Sequence, residues 1–264
     1  MLAIDLTGRK ALVTGGARGI GAGIVRCLAQ AGASVAFTHA GTEHGQAAAA
    51  LLLAELRRAG SQALELVAAA QDMDAMEQAV ARAAGTFGGL DIVVPNVGKN
   101  WVAPLDSLDL TGWQQALELN LTTAFVAVKA AYPWLCKAPR ADVVLIGSSG
   151  VIDGGGGGAH YAAAKAGLEG MLAGLMRELP RRHIHVNLIH PCVVDTDLLR
   201  ERYDTDEKRA RLAAQVPLGR LARPEDFGSL VAFLCSDQGG FICGQAILVD
   251  GGRTLWRQGV GSKE

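Results

Sequence analysis

Several things are scarce in this chain of 264 residues, and each scarcity excludes a class of function. Aromatic residues make up only 5%, too few to build a stacking platform for nucleic acid or carbohydrate. The formal net charge is -1, so no basic field draws in DNA, RNA or an anionic membrane. The five cysteines, Cys27, Cys136, Cys192, Cys235 and Cys243, form no C-x-x-C pair and are odd in number. They fit reduced, mostly buried thiols rather than a disulfide framework. No 18-residue apolar run occurs, and the first residues lack a charged segment followed by an apolar stretch and a cleavage site. A soluble, cytoplasmic protein with no nucleic-acid or membrane partner is expected. What is abundant is small: 34 glycines, with half of all residues hydrophobic, suit close packing of helices on a sheet.

Short apolar runs alternate with helical patterns. Strands are expected at 10–14, 34–38, 63–67, 91–94, 142–146, 184–189 and 246–249. Helical spacing covers 19–31, 46–59, 72 to about 87, a long stretch over 111–136, and 160–179. A charged stretch, 206–215, interrupts the alternation before a helix over 224–234 that opens on Pro224. This order predicts an α/β, three-layer, doubly wound Rossmann fold on a single seven-stranded parallel sheet flanked by helices. No repeat or linker divides it, so residues 1–252 are read as one domain, with a substrate lid near 196–216. A tail over 253–264 carries Trp256. The five-glycine tract Gly154 to Gly158 is expected to be a mobile loop.

Thr14-Gly-Gly-Ala-Arg-Gly-Ile-Gly21 joins the first strand to the first helix. Glycines let the backbone turn tightly and approach a pyrophosphate, whose charge the helix N-terminus favours. Gly15, Ala17, Arg18, Gly19, Ile20 and Gly21 are therefore candidate dinucleotide contacts, although the spacing is not the common GxGxxG. An acid at the end of the second strand would bind the ribose 2'-hydroxyl of NAD. The chain reads Phe37-Thr-His-Ala40 there. A cation at Arg18 with small polar groups at Thr38 and His39 suits a 2'-phosphate, so NADPH/NADP+ is expected over NADH/NAD+.

Tyr161 and Lys165 lie one helical turn apart on one face. A free phenol titrates near pH 10, and a neighbouring ammonium would favour the phenolate and lower that value. The pair alone is weak evidence. Together with the glycine loop it makes the chain resemble the short-chain dehydrogenase/reductases, and among them the 3-oxoacyl-carrier-protein reductases, from Lys10 to Gly252. Thr14 to Gly21 follows the family's TGxxxGxG loop, and Tyr161-x3-Lys165 its YxxxK motif. Ser148 stands thirteen residues before Tyr161, where the family has a substrate-polarising serine, and Asn120 matches its fourth catalytic position. His190-Pro-Cys-Val-Val-Asp-Thr196 resembles the PGxxxT segment that wraps the nicotinamide, which implies cofactor contacts at Pro191, Val194 and Thr196. Gly219-Arg220 through Asp250-Gly-Gly252 follows the C-terminal pattern.

The resemblance implies hydride transfer between nicotinamide C4 and a carbonyl carbon. Tyr161 would act as general acid. Lys165 would lower its pKa and bind the nicotinamide ribose. Ser148 would hydrogen-bond the carbonyl oxygen. Asn120 would hold a water on the proton path, and Ser149 would be structural. Three departures stand out. The family's NNAG is Pro95-Asn-Val-Gly98 here, so the Asn that ties the sheet to neighbouring backbone is lost, leaving Asn96 and Gly98 to shape the adenosine-ribose wall. The PG pair is Pro191-Cys192, without the glycine that eases its backbone. Asp72 is the nearest candidate for the adenine-binding acid, and an N-cap is an equal alternative.

Other readings are a zinc enzyme, a serine hydrolase, an NAD-dependent secondary alcohol or sugar dehydrogenase, and a non-catalytic cofactor-sensing protein of the same fold. His183 and His185 share a strand face without a third ligand in register, so no metal is expected. Gly147-Ser-Ser-Gly150 lacks the GxSxG elbow spacing. The substrate, a small-molecule ketone or an acyl thioester, free or on acyl carrier protein, is expected to meet Trp101 and Val193. Arg182 resembles a position where carrier-linked reductases present a cation. The family's homotetramers or homodimers are implied through the long helix and the Tyr161 helix, where Ala163, Ala166, Gly167 and Gly170 permit close packing.

Overall fold

The structure is a computed structural model and describes residues 4–255. Trp256 and the rest of the tail beyond 255 lie outside the described residues. Seven strands, β1 (Lys10–Val13), β2 (Ser34–His39), β3 (Ala63–Val67), β4 (Ile92–Val94), β5 (Ala141–Ile146), β6 (Ile184–Pro191) and β7 (Ala246–Val249), form one parallel sheet. Their order is β3-β2-β1-β4-β5-β6-β7. The helices are α1 (Gly19–Gln30), α2 (Glu43–Arg58), α3 (Met73–Phe87), α4 (Leu110–Leu117), α5 (Thr123–Leu135), α6 (Gly150–Asp153), α7 (Ala159–Leu175), α8 (Asp197–Arg202), α9 (Asp206–Ala213) and α10 (Pro224–Cys235).

Alternate strand residues build two cores. Leu12, Ala36, Val93, Val143 and Leu145 face α3, α5 and α7 on one side. Val13, Val35, Phe37, Val94 and Ile146 face α1, α2 and α10 on the other. Both faces are covered, which is why the strands read as nearly unbroken apolar runs. The strand order reverses between β1 and β4, so a crevice opens at the carboxyl ends there, the ligand-binding position of such sheets.

Several boundaries differ from expectation. β6 runs on to Pro191 because His190 and Pro191 pair with Leu248 and Val249 of β7. α7 ends at Leu175, and a separate 3-10 turn, Leu179–Arg182, contains Pro180, which cannot continue a hydrogen-bonded helix. α2 starts earlier, at Glu43, capped by Thr42 Oγ1, which accepts the Gly45 N–H. The long fourth helix is broken into α4 and α5 by a π-helical turn, Glu118–Thr122. Among the described residues no helix is long and apolar enough to cross a membrane.

Candidate active site

The first loop wraps the mouth of the crevice. Gly15 and Gly19 take left-handed backbone angles, φ +61° and +54°. A side chain on Gly21 would collide with the Gly15 carbonyl, so only glycine lets α1 start against this loop. No side chain caps α1, which leaves its first-turn N–H groups for an anion. Arg18, exposed and extended, immediately precedes the helix, while Ala17 is buried and Ile20 opens its first turn. Thr38 locks the loop to β2: its Oγ1 accepts the Gly15 N–H at 3.3 Å and its carbonyl the Gly16 N–H at 3.0 Å. From the far side, Thr196 Cγ2 stands 3.4 Å from where a Cβ on Gly19 would lie. Pro191 and Val194, both buried, lead to Thr196 from β6. The structure thus gathers the loop, Thr38 and the 191–196 segment around one cleft.

Some expectations need correction. His39 is buried, with Nε2 2.9 Å from Glu65 Oε1 and Nδ1 accepting the Gly41 N–H at 3.2 Å. Both ring nitrogens are engaged, so His39 is not free for a 2'-phosphate, and buried Thr38 is committed to the loop. Arg18 alone of that trio reaches solvent. Asp72 caps α3, its carboxylate accepting the Ala75 N–H at 3.0 Å. Asn96 does the tying expected of the residue that Pro95 replaces. Its Nδ2 donates to the Thr14 and Gly15 carbonyls at 3.2 and 3.1 Å, and its N–H to Thr14 Oγ1. His183 is the only non-glycine with positive φ among the described residues, so Cys192 needs no glycine-like backbone.

Asn120 sits at the centre of the π turn, a widened turn that is frequent at functional sites. Its Oδ1 accepts the Lys99 N–H at 3.0 Å, and its Nδ2 donates to the Lys99 and Ala116 carbonyls at 2.9 and 3.1 Å. A Cβ on Gly98 would lie 2.8 Å from that Oδ1 and 3.0 Å from Lys165 Nζ, so the three meet without room for a side chain. Lys165 is buried and donates to the Ile146 carbonyl at 2.9 Å. Burial brings its pKa down to about 8. Tyr161 moves the other way: burial pushes the phenol up, opposed by its hydrogen bond with the Ser148 side chain. The expected lowering by Lys165 does not govern, because the ammonium's hydrogen bond goes to the β5 carbonyl. Ser148 Oγ accepts the Gly150 N–H at 3.1 Å, and the Ser148 N–H donates to His190 Nδ1 at 3.1 Å. Buried Ser149 supplies the carbonyl that begins α6.

The glycine tract lies close over Tyr161. A Cβ on Gly156 would stand 2.6 Å from Cδ1 and Cε1 of the tyrosine ring, and one on Gly157 would collide with the Trp101 carbonyl. The Ala103 N–H donates to the Gly157 carbonyl at 2.9 Å, so the tract is stitched to the loop after β4. Trp101 packs on the ring of buried His160, centroids 4.9 Å apart. Val193 lines a cavity of about 240 Å³ with Cys192, Val216 and Val249, a lining that includes neither Tyr161 nor Ser148. Arg182 stands away from Tyr161. About 20 Å of helix rise separates Tyr161 from the end of α7, and Arg182 follows that end, over the Tyr132 ring. It does not line the same subunit's site. His190 and Glu169 went unforeseen; the i, i+4, i+8 series Tyr161, Lys165, Glu169 was the available signal.

A family model described as enoyl-(acyl carrier protein) reductase matches residues 15–254. The chain belongs to the short-chain dehydrogenase/reductase family. Like other short-chain dehydrogenase/reductases it is an oxidoreductase acting on CH–OH or C=O groups with a nicotinamide cofactor. It is 35% identical over 256 residues to L-rhamnose 1-dehydrogenase (NAD(P)(+)) of Azotobacter vinelandii, covering 96% of this chain and 98% of the relative. It is 36% identical over 249 residues to the 3-oxoacyl-(acyl-carrier-protein) reductase FabG of Escherichia coli, covering 94% and 98%. The crystal structure of a blue fluorescent protein from a metagenomic library, in complex with NADPH, superposes with a TM-score of 0.84 at 35% identity, covering 94% and 99%. The glycine loop and the uncapped α1 N-terminus suit the family's dinucleotide.

Proposed function

We propose that this protein is an NADPH-dependent, cytoplasmic ketone reductase with Tyr161 as general acid. The observation that carries the reading is a protonated phenol held by Ser148, with a buried lysine one turn behind it. When bound, the nicotinamide supplies hydride to the carbonyl carbon. Ser148 Oγ hydrogen-bonds the carbonyl oxygen as charge develops on it. Tyr161, kept neutral by burial, donates its proton to the same oxygen. Lys165, with a pKa of about 8, exchanges a proton near neutrality and refills the phenol. The Asn120 side chain is spent on the Lys99 backbone, so it holds Lys99 and Gly98 in place, and a relay water would rest on the Asn120 backbone carbonyl.

Arg18 at the loop, with no acid at the end of β2, supports NADPH. Residues 1–252 serve as one cofactor-binding and catalytic domain, with 196–216 as lid, in a homodimer or homotetramer. The substrate is a small ketone or a 3-oxoacyl thioester. Arg182, remote from Tyr161 in its own subunit, could serve a carrier protein only across the assembly.

One observation favours NAD-dependent sugar or alcohol oxidation instead. Glu65 stands beside His39 at the β2–β3 edge and supplies a carboxylate near the ribose end. The relative named L-rhamnose 1-dehydrogenase points the same way. Ketones, free and carrier-linked 3-oxoacyl substrates and sugars, each assayed with both cofactors, separate the readings. Tyr161→Phe should fold, bind NADPH and lose about a hundredfold or more in kcat. Unchanged turnover would remove Tyr161 from the chemistry, and no turnover on any substrate would favour a cofactor-sensing role.

A further inference from the structure

The backbone donors around Ser148 are accounted for in an unusual way. The Gly147 N–H donates to the Ile189 carbonyl at 2.7 Å, and the Ser149 N–H to the Pro191 carbonyl at 2.8 Å. Between them the Ser148 N–H finds a side chain, Nδ1 of His190, at 3.1 Å. The imidazole is buried, and it approaches so closely that a Cβ on Gly147 would stand 2.5 Å from Nδ1. Because Nδ1 accepts, the ring proton is on Nε2. Nε2 lies 3.1 Å from Glu169 Oε1, within reach of the carboxylate though bent away from ideal hydrogen-bond alignment. Glu169 follows Lys165 by one turn of α7, on the face that carries Tyr161.

We propose that Glu169 and His190 are a positioning pair for Ser148: the carboxylate selects the ring tautomer, and the ring holds the serine's backbone so that Oγ faces the tyrosine. This rests on the reading of Ser148 as the group that hydrogen-bonds the carbonyl. The charged groups facing the ring are Glu169 and Lys165 on α7, and the end of β5 presents only the Ser148 N–H. Burial, chiefly, keeps the imidazole neutral, with Glu169 opposing that effect. Once protonated, the ring has no acceptor and must release Ser148.

The test compares His190→Leu with His190→Asn, whose amide oxygen can take the place of Nδ1. The leucine variant should lose about tenfold in kcat, the scale of one hydrogen bond, with NADPH affinity unchanged, and the asparagine variant should recover most of it. The wild-type acid limb of kcat should flatten in His190→Asn, which has no ring to protonate. Hydrogen exchange at the Ser148 amide needs no turnover. Protection should be lost in the leucine variant and restored by asparagine, so the pair is tested even if the reductase reading fails. Equal impairment of both variants, equal amide protection in all three proteins, or identical acid limbs would overturn the proposal. If His190→Leu does not fold, the acid limb and amide protection of His190→Asn still decide.

Discussion

Lys165→Met replaces an ammonium that the fold buries against the Ile146 carbonyl with an apolar chain of similar length. Burial takes the lysine from 10.5 down to about 8, a difference of about 2.5 units and thus about 3 kcal/mol of differential stability. The sign follows from proton counts. Between pH 8 and 10.5 the unfolded chain holds the proton and the folded chain has released it, so this lysine's contribution to stability is complete above 10.5. It is lost as pH falls through 8. At pH 7 the wild type therefore bears the full cost of a buried charge, which the methionine variant escapes. Against this, methionine leaves the Ile146 carbonyl without its donor, a loss of about 1 kcal/mol. The cofactor-free variant should be more stable by about 2 kcal/mol at pH 7, or about 5 °C in Tm for a chain of this size. Denaturant titrations of both proteins from pH 7 to 10.5 would show the gap closing and then reversing. Other titrating groups are common to both proteins and cancel. A variant that is less stable at pH 7, or a gap that does not narrow with alkali, would refute the picture of Lys165 as a desolvated charge.

Arg18→Ala should weaken NADPH far more than NADH, measured as the ratio of the two dissociation constants; an equal loss for both would end the 2'-phosphate assignment. Gly156→Ala places a methyl group against the Tyr161 ring at a φ of +93°, so kcat/KM should fall about tenfold or more with NADPH binding intact. An unaffected Gly156→Ala would mean that the tract stands clear of the phenol during turnover.

The strands and helices were legible because both faces of a covered parallel sheet demand apolar residues, and that demand is local. The loop from Thr14 to Gly21 was legible because the close approaches there require glycine within a short stretch. What escaped depends on pairings between distant segments. His39 looked available until the β2–β3 register set it beside Glu65. Asn96 takes over a tie because β4 ends level with Thr14, which no residue near Pro95 reveals. Lys165 one turn from Tyr161 suggested a charge acting on a phenol, but the direction of Nζ is set by the end of β5. Asp72 carried two meanings that only the backbone after β3 could separate.

The π turn at 118–122 has a consequence for which changes of length this fold tolerates. Residues before it are phased so that Asn120 reaches Lys99, and residues after it so that Ala124, Ala127, Ala131 and Leu135 are buried. Each residue of a helix advances the rotation by about 100°. Tightening the turn into an ordinary helix with all its residues kept would therefore rotate one of the two segments by about that amount, turning the core face of α5 outward or carrying Asn120 away from Lys99. Deleting one residue as it tightens would instead leave the two in phase. The extra residue and the widened turn therefore stand or fall together. Within this helix, a change of length by one residue is absorbed at the widened turn.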